Sequence, residues 1–158
     1  MANVRRCDVP DCARELADLR RIDYADCFAV DVSTQHSPEE WVRQCVAQMP
    51  SLFAAIRVAH RSLGLKVARE DSPDHVFGWE IVRSGPTEAV LANHGLLGSP
   101  RIVGLTPPGQ VTLATLIELN GLTGRLMWGA TAPVHRAVAQ RILRSLPTLS
   151  VATPVAKE

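Results

Sequence analysis

Residues 110–146 read QVTLATLIELNGLTGRLMWGATAPVHRAVAQRILRSL, and the spacing of their apolar residues changes part-way along. Up to Asn120 the chain alternates. Val111, Leu113, Thr115, Ile117 and Leu119 share one face and Thr112, Ala114, Leu116, Glu118 and Asn120 the other, which predicts a strand with the first set turned inward. From Gly121 the apolar residues Leu122, Leu126, Ala130, Val134, Val138, Ile142 and Leu146 recur every four, which predicts a long helix to Leu146. Pro133 lies inside that helix and should kink it or break its ladder locally.

Working upstream, the chain reads as strands separated by turn residues: HVFGWEIVRS (75–84), TEAVLANHG (87–95), a Gly/Pro-interrupted LLGSPRIVGLTP (96–107), then the strand above. A meander is the simplest arrangement of these. Ahead of them, Ser37 is a helix N-cap, Pro38 suits the first helical position and Glu40 completes a capping box, so a helix starts at Pro38 and must stop at Pro50. A second helix follows at once, with Leu52, Phe53, Ile56, Ala59 and Leu63 on its buried side and Gly64 as its left-handed terminus. Residues 11–19 have helical spacing, and the next segment turns to a period of two, with Ile22, Tyr24, Asp26, Phe28 and Val30 on one parity.

A sheet must bury a face, and the last helix is the only element long enough to cover it. The expected class is α+β: a curved antiparallel sheet wrapped around a long C-terminal helix, with two short helices between the first and second strands. Residues 1–146 form one domain on this reading, and residues 147–158 a loose tail.

Composition narrows the function classes. Of 158 residues, 46% are hydrophobic and 21% charged, an ordinary globular balance, and a net charge of +1 provides no global field toward nucleic acid. No stretch approaches a membrane span, and Asp8 and Asp11 interrupt any secretory core, so the expected compartment is the cytoplasm. Cys7, Cys12, Cys27 and Cys45 lack the paired spacing of a zinc site. They read as reduced thiols, with Cys27 and Cys45 as small core residues. No two of the five histidines have the helical metal-pair spacing, and there is no nucleophile elbow or phosphate-cradling glycine loop, so neither a metal nor a cofactor is expected.

Five segments carry a resemblance: Asp23-Tyr24-Ala25-Asp26-Cys27-Phe28, Ser37-Pro38-Glu39-Glu40-Trp41, Gly78-Trp79-Glu80-Ile81, Asn120 to Leu126, and Pro133-Val134-His135-Arg136. Together with the element order over residues 13–146, they make the chain similar to the START-like (SRPBCC) helix-grip superfamily, and especially to a bacterial family of uncharacterised proteins within it. The chain departs from the pattern at residues 96–107, where Gly98, Pro100 and Gly104 interrupt what should be a regular strand. The resemblance implies a cavity between sheet and helix. Its occupant would be a lipid, polyketide or aromatic molecule, and some members of the superfamily cyclise or dehydrate what they bind.

On that reading the ligand-binding face is Phe77, Trp79 and Ile81, then Val90 and Ala92, then Leu113, Thr115 and Ile117, with Trp128 opposite on the helix. A closed core would use the same residues. His94 and His135 are candidate catalytic groups, set against ordinary structural histidines. Glu80 and Glu118 point away from the interior, but a one-residue shift of register would turn them inward as proton-transfer candidates. The sequence therefore leaves three functions open: a binding protein for a small hydrophobic molecule, an enzyme on such a molecule, or a homodimeric interaction module using a sheet edge.

Overall fold

The computed structural model describes residues 2–149. Its elements are β1 (Arg5–Arg6), α1 (Asp11–Ala17), β2 (Tyr24–Asp31), α2 (Pro38–Gln48), α3 (Pro50–Ser62), β3 (His75–Val76), β4 (Trp79–Ser84), β5 (Glu88–Ala92), β6 (Gly98–Leu105), β7 (Gln110–Leu119) and α4 (Gly121–Leu149). The fold is α+β. Among the described residues, seven strands form one antiparallel sheet in the order β1-β2-β7-β6-β5-β4-β3. Among the described residues no helix is long and apolar enough to cross a membrane.

Local chemistry accounts for the element boundaries. Ser37 Oγ accepts from the Glu40 N–H at 3.3 Å and Glu40 Oε2 accepts from the Ser37 N–H at 2.7 Å, closing the expected capping box at the head of α2. Pro50 opens α3 directly after α2. Gly64 ends that region at φ 70°, where an added Cβ would lie 2.5 Å from Leu96 Cβ. β1 is a strand that the sequence reading did not contain. Two residues are too few to show a period, and β1 is held instead by its ladder to β2 and by Arg5 donating to both oxygens of Asp31 at 3.0 and 2.9 Å. The helix pair therefore falls between the second and third strands.

The interrupted segment 96–107 still makes a full strand, β6, in the middle of the sheet. A proline there removes a ladder donor. Asn93 N–H donates to the Pro100 carbonyl at 3.2 Å, and the return bond that another residue at 100 would make to the Asn93 carbonyl is replaced by Arg101 Nη1 at 3.2 Å. Because β5 ends at Ala92, the defect sits where the ladder is already finishing.

Both faces of the sheet are covered. One face packs with α2, α3 and α4 around Phe28, Trp41, Phe53, Phe77, Trp79 and Trp128. The other receives α1, whose Ala13 and Ala17 sit against Cys27, Val90, Val103, Ala114 and Leu116.

Three expectations are corrected. Val90 and Ala92 do not face α4: Ile81 stands opposite Leu91, and Ile102 of β6 opposite the same Leu91, so Ala89 and Leu91 are the residues of β5 on that face. Val90 packs under α1 instead. The apolar run of β5 reads the same in either register because both of its faces are buried. Second, the every-four series on α4 does not keep to one face: Leu122, Leu126 and Val134 are 72%, 67% and 63% exposed, whereas its last member Leu146 is buried with Trp128, Ala132, Ala139 and Leu143. A step of four residues overshoots the helical repeat by about 40°, so such a series spirals around the helix, exposed at Leu122 and buried by Leu146. Third, α4 runs on to Leu149, past the expected end at Leu146. The remainder of the expected tail, residues 150–158, lies outside the described residues.

Candidate functional site

Ladder register brings one row of residues to the face beneath α3 and α4. Tyr24 stands opposite Ile117, Asp26 opposite Thr115 and Phe28 opposite Leu113, and the same β7 residues stand opposite Pro100, Ile102 and Gly104 of β6. Side chains alternate along each strand, so this whole row points to one side. Between it and the helices lies a cavity of about 210 Å³. Its walls are apolar: Phe77, Trp79 and Leu91 from the sheet side, Phe53 and Ile56 from α3 with Leu63 at its C-cap, and Trp128, Val138 and Ile142 from α4. Ala59 and Val134 are lining residues that are also exposed, so the mouth lies between α3 and α4.

Polar groups converge on the cavity at two places. His135 lies two helical turns after Trp128, on the same face of α4, with ring centroids 5.1 Å apart. Its Nε2 is 3.1 Å from Thr115 Oγ1 and 3.6 Å from Asp26 Oδ2. Tyr24 donates its hydroxyl to the same Asp26 oxygen at 2.5 Å, and Arg136 Nη1 reaches the Tyr24 oxygen at 3.5 Å. The Asp26 side chain is 1% exposed, and among the described residues its Oδ1 has no hydrogen-bond partner. Burial pushes the Asp26 acid up, but the contacts with His135 and Tyr24 together outweigh burial and leave it below its ordinary value. Tyr24 is pushed up to about 12, first by burial and then by its bond to the carboxylate.

The second place is His60 of α3. Its Nδ1 accepts the Trp79 indole N–H at 2.9 Å, which fixes the neutral ring with its proton on Nε2. Burial lowers the His60 pKa to about 4, with a smaller contribution from the charge of His135. Near neutral pH the ring is therefore an uncharged donor that titrates only in acid.

Of the residues singled out from sequence, Phe77, Trp79, Leu113, Thr115, Ile117, Trp128 and His135 line this cavity. Ile81 shares their face without lining it. Val90 and Ala92 lie on the other face, and His94 is exposed there, beside Lys66, Asn93 and Glu80 in a separate groove. Glu80 and Glu118 also stay outside: Glu118 accepts from Arg20 Nη2 at 2.9 Å. The buried carboxylate is Asp26 instead. Tyr24, Asp26 and His60 were not singled out as site residues, yet each has a sequence signal. Asp26 is the acid in an otherwise apolar same-parity run, and His60 follows Phe53 and Ile56 on the buried side of α3.

Among the described residues, no group of three or more His, Cys, Asp and Glu is placed to hold a metal ion. Compared with protein-family models, curated proteins and solved structures, the chain matches none.

Proposed function

We propose that this chain binds a small, uncharged, hydrophobic molecule of one or two rings in the cavity between the sheet and α4, the ligand position that the START-like helix-grip resemblance implies. The carrying observation is an apolar cavity of about 210 Å³ with His60, Thr115, Thr131 and His135 as its few polar lining residues. Size limits the class. A cavity of about 150 Å³ accommodates benzene, so this one suits an aromatic compound or a cyclised polyketide fragment, whereas a sterol or a diacyl lipid would need α3 or α4 to move. Charge limits it as well. A carboxylate ligand would lie near buried Asp26, and a neutral acceptor such as a phenol or ketone oxygen satisfies the His60 Nε2–H without that repulsion.

Isothermal titration of 2-naphthol tests this reading. Wild type is expected to bind saturably at one site. Ala59→Trp, which adds bulk at an exposed position of the mouth, should weaken binding at least about tenfold while moving Tm by no more than a few degrees. Absence of saturable heat with the wild type, or equal affinity in the variant, would overturn the proposal.

A second reading is supported by the buried Asp26–His135 pair: an enzyme of cyclase or dehydratase type acting on such a molecule. Thr115 and Asp26 engage Nε2 of His135, leaving Nδ1 to exchange a proton with a bound substrate. Asp26→Asn and His135→Gln should each lower turnover of a poly-β-keto thioester by about 100-fold or more while retaining naphthol uptake. Failure of the wild type to turn over this thioester removes the support for catalysis and leaves the binding reading standing.

A further inference from the structure

At the sheet edge, on the face away from the cavity, two thiols stand side by side. Cys7 follows β1 directly, and its N–H donates to the Cys27 carbonyl at 3.0 Å, one step beyond the Arg6–Phe28 pair. Cys7 and Cys27 are thus directly opposite across an antiparallel ladder. Residues opposite each other across an antiparallel pair hold their Cα atoms about 4.5–5.5 Å apart, inside the range that a disulfide spans. Their sulfur atoms are 3.0 Å apart, and both thiols are free. Closing a bond of about 2.05 Å needs a sulfur displacement of about 1 Å, within reach of side-chain rotation.

The two thiols differ in access. Cys7 is partly exposed and Cys27 is fully buried against Ala13, Ala17, Ala114 and Leu116. Cys12 on α1 is exposed and has no thiol neighbour among the described residues, so it serves as an internal control.

We propose that Cys7 and Cys27 form a reversible redox pair that closes to a cross-strand disulfide by exchange with a low-molecular-weight disulfide such as oxidised glutathione. The Cys7 thiolate attacks one glutathione sulfur, forming a mixed disulfide and releasing one glutathione thiolate. Cys27 then loses its proton and attacks the Cys7 sulfur, forming the Cys7–Cys27 bond and releasing the second glutathione. The protein loses two electrons and two protons, and one glutathione disulfide becomes two thiols. Cys7 is the accessible thiol and burial pushes the Cys27 thiol up, so exchange begins at Cys7. Because the partners face each other in the folded chain, closure outcompetes the mixed disulfide at equilibrium. Oxidation locks β1 to β2 across a loop of 20 residues. For a chain of this size the lock should raise Tm by about 6–12 °C.

The test equilibrates full-length protein in glutathione buffers of increasing oxidation, quenches with acid, alkylates and maps peptides by mass spectrometry, with Tm measured in parallel. The expected result at the oxidising end is a Cys7–Cys27 linked peptide carrying no glutathione, a glutathione adduct on Cys12, and reversal of both by dithiothreitol. Cys7→Ser should abolish the linked peptide and the Tm rise together. Stable glutathione on Cys7, a Cys7–Cys12 link, or a Cys7–Cys27 pair that remains alkylatable while Cys12 is modified would overturn the proposal. Each of those outcomes is read on the wild-type chain, so the test does not depend on how well the variant folds.

Discussion

His60 and Asp26 make stability depend on pH in two separate windows. The His60 pKa falls from an ordinary 6.5 to about 4 on folding, because a buried imidazole resists charging. Below about pH 6.5 the unfolded chain takes up a proton that the native ring refuses, so stability is full above that value and is lost as pH falls toward 4. The difference between pH 7 and pH 4.5 should be about 2–3 kcal/mol for this residue. Urea unfolding of wild type and His60→Gln at both values checks it: the wild type should lose that much more than the variant, whose side-chain carbonyl can still accept the Trp79 N–H. Asp26 behaves in the opposite chemical sense but in the same direction. Its lowered pKa contributes stability above the ordinary carboxylate value, lost only as pH falls further, so the two contributions do not overlap above about pH 4. Both residues were visible in sequence as polar groups on apolar faces. What sequence could not supply was the convergence of Asp26, Thr115 and His135, which lie on three different elements.

At the scale of elements, strands and helices were legible wherever a period or a cap was strong: the capping box of α2, the helix break at Pro50 and the alternation of β7. Faces were less legible than elements. The leucines at 122 and 126 belong to the repeat that marks the helix, yet both stand in solvent. This yields a direct contrast on α4. Leu122→Gln and Leu126→Gln should each change stability by no more than about 0.5 kcal/mol, whereas Leu143→Ala, at a site 2% exposed, should cost about 2–5 kcal/mol. Denaturant midpoints of the three variants check it, and comparable losses at all three positions would mean that the buried face has been misplaced. β5 shows the same limit from the other side. An apolar run buried on both faces carries no alternation, and only its pairing with β4 and β6 decides that Leu91, not Val90, faces the helices. Pro100 in a central strand was the apparent contradiction in the sequence, and a single guanidinium, that of Arg101, resolves it.

For the whole molecule, element order implied an α+β chain with an antiparallel sheet and a long final helix, and that architecture is present. The cavity could not be read in the same way, because Phe, Trp, Leu and Ile build closed cores and ligand pockets alike. Only the three-dimensional arrangement separates space that side chains fill from space that they enclose. The tryptophans report on that distinction one by one: Trp79 and Trp128 line the cavity, while Trp41 is buried in the same core without lining it. Their three indole N–H resonances in a ¹H–¹⁵N spectrum, followed during titration with 2-naphthol, test the central claim most directly. The account predicts that the Trp79 and Trp128 signals shift along one saturable curve while that of Trp41 stays in place. Stationary signals from Trp79 and Trp128 at saturating naphthol, or equal shifts of all three, would contradict a ligand site in this cavity.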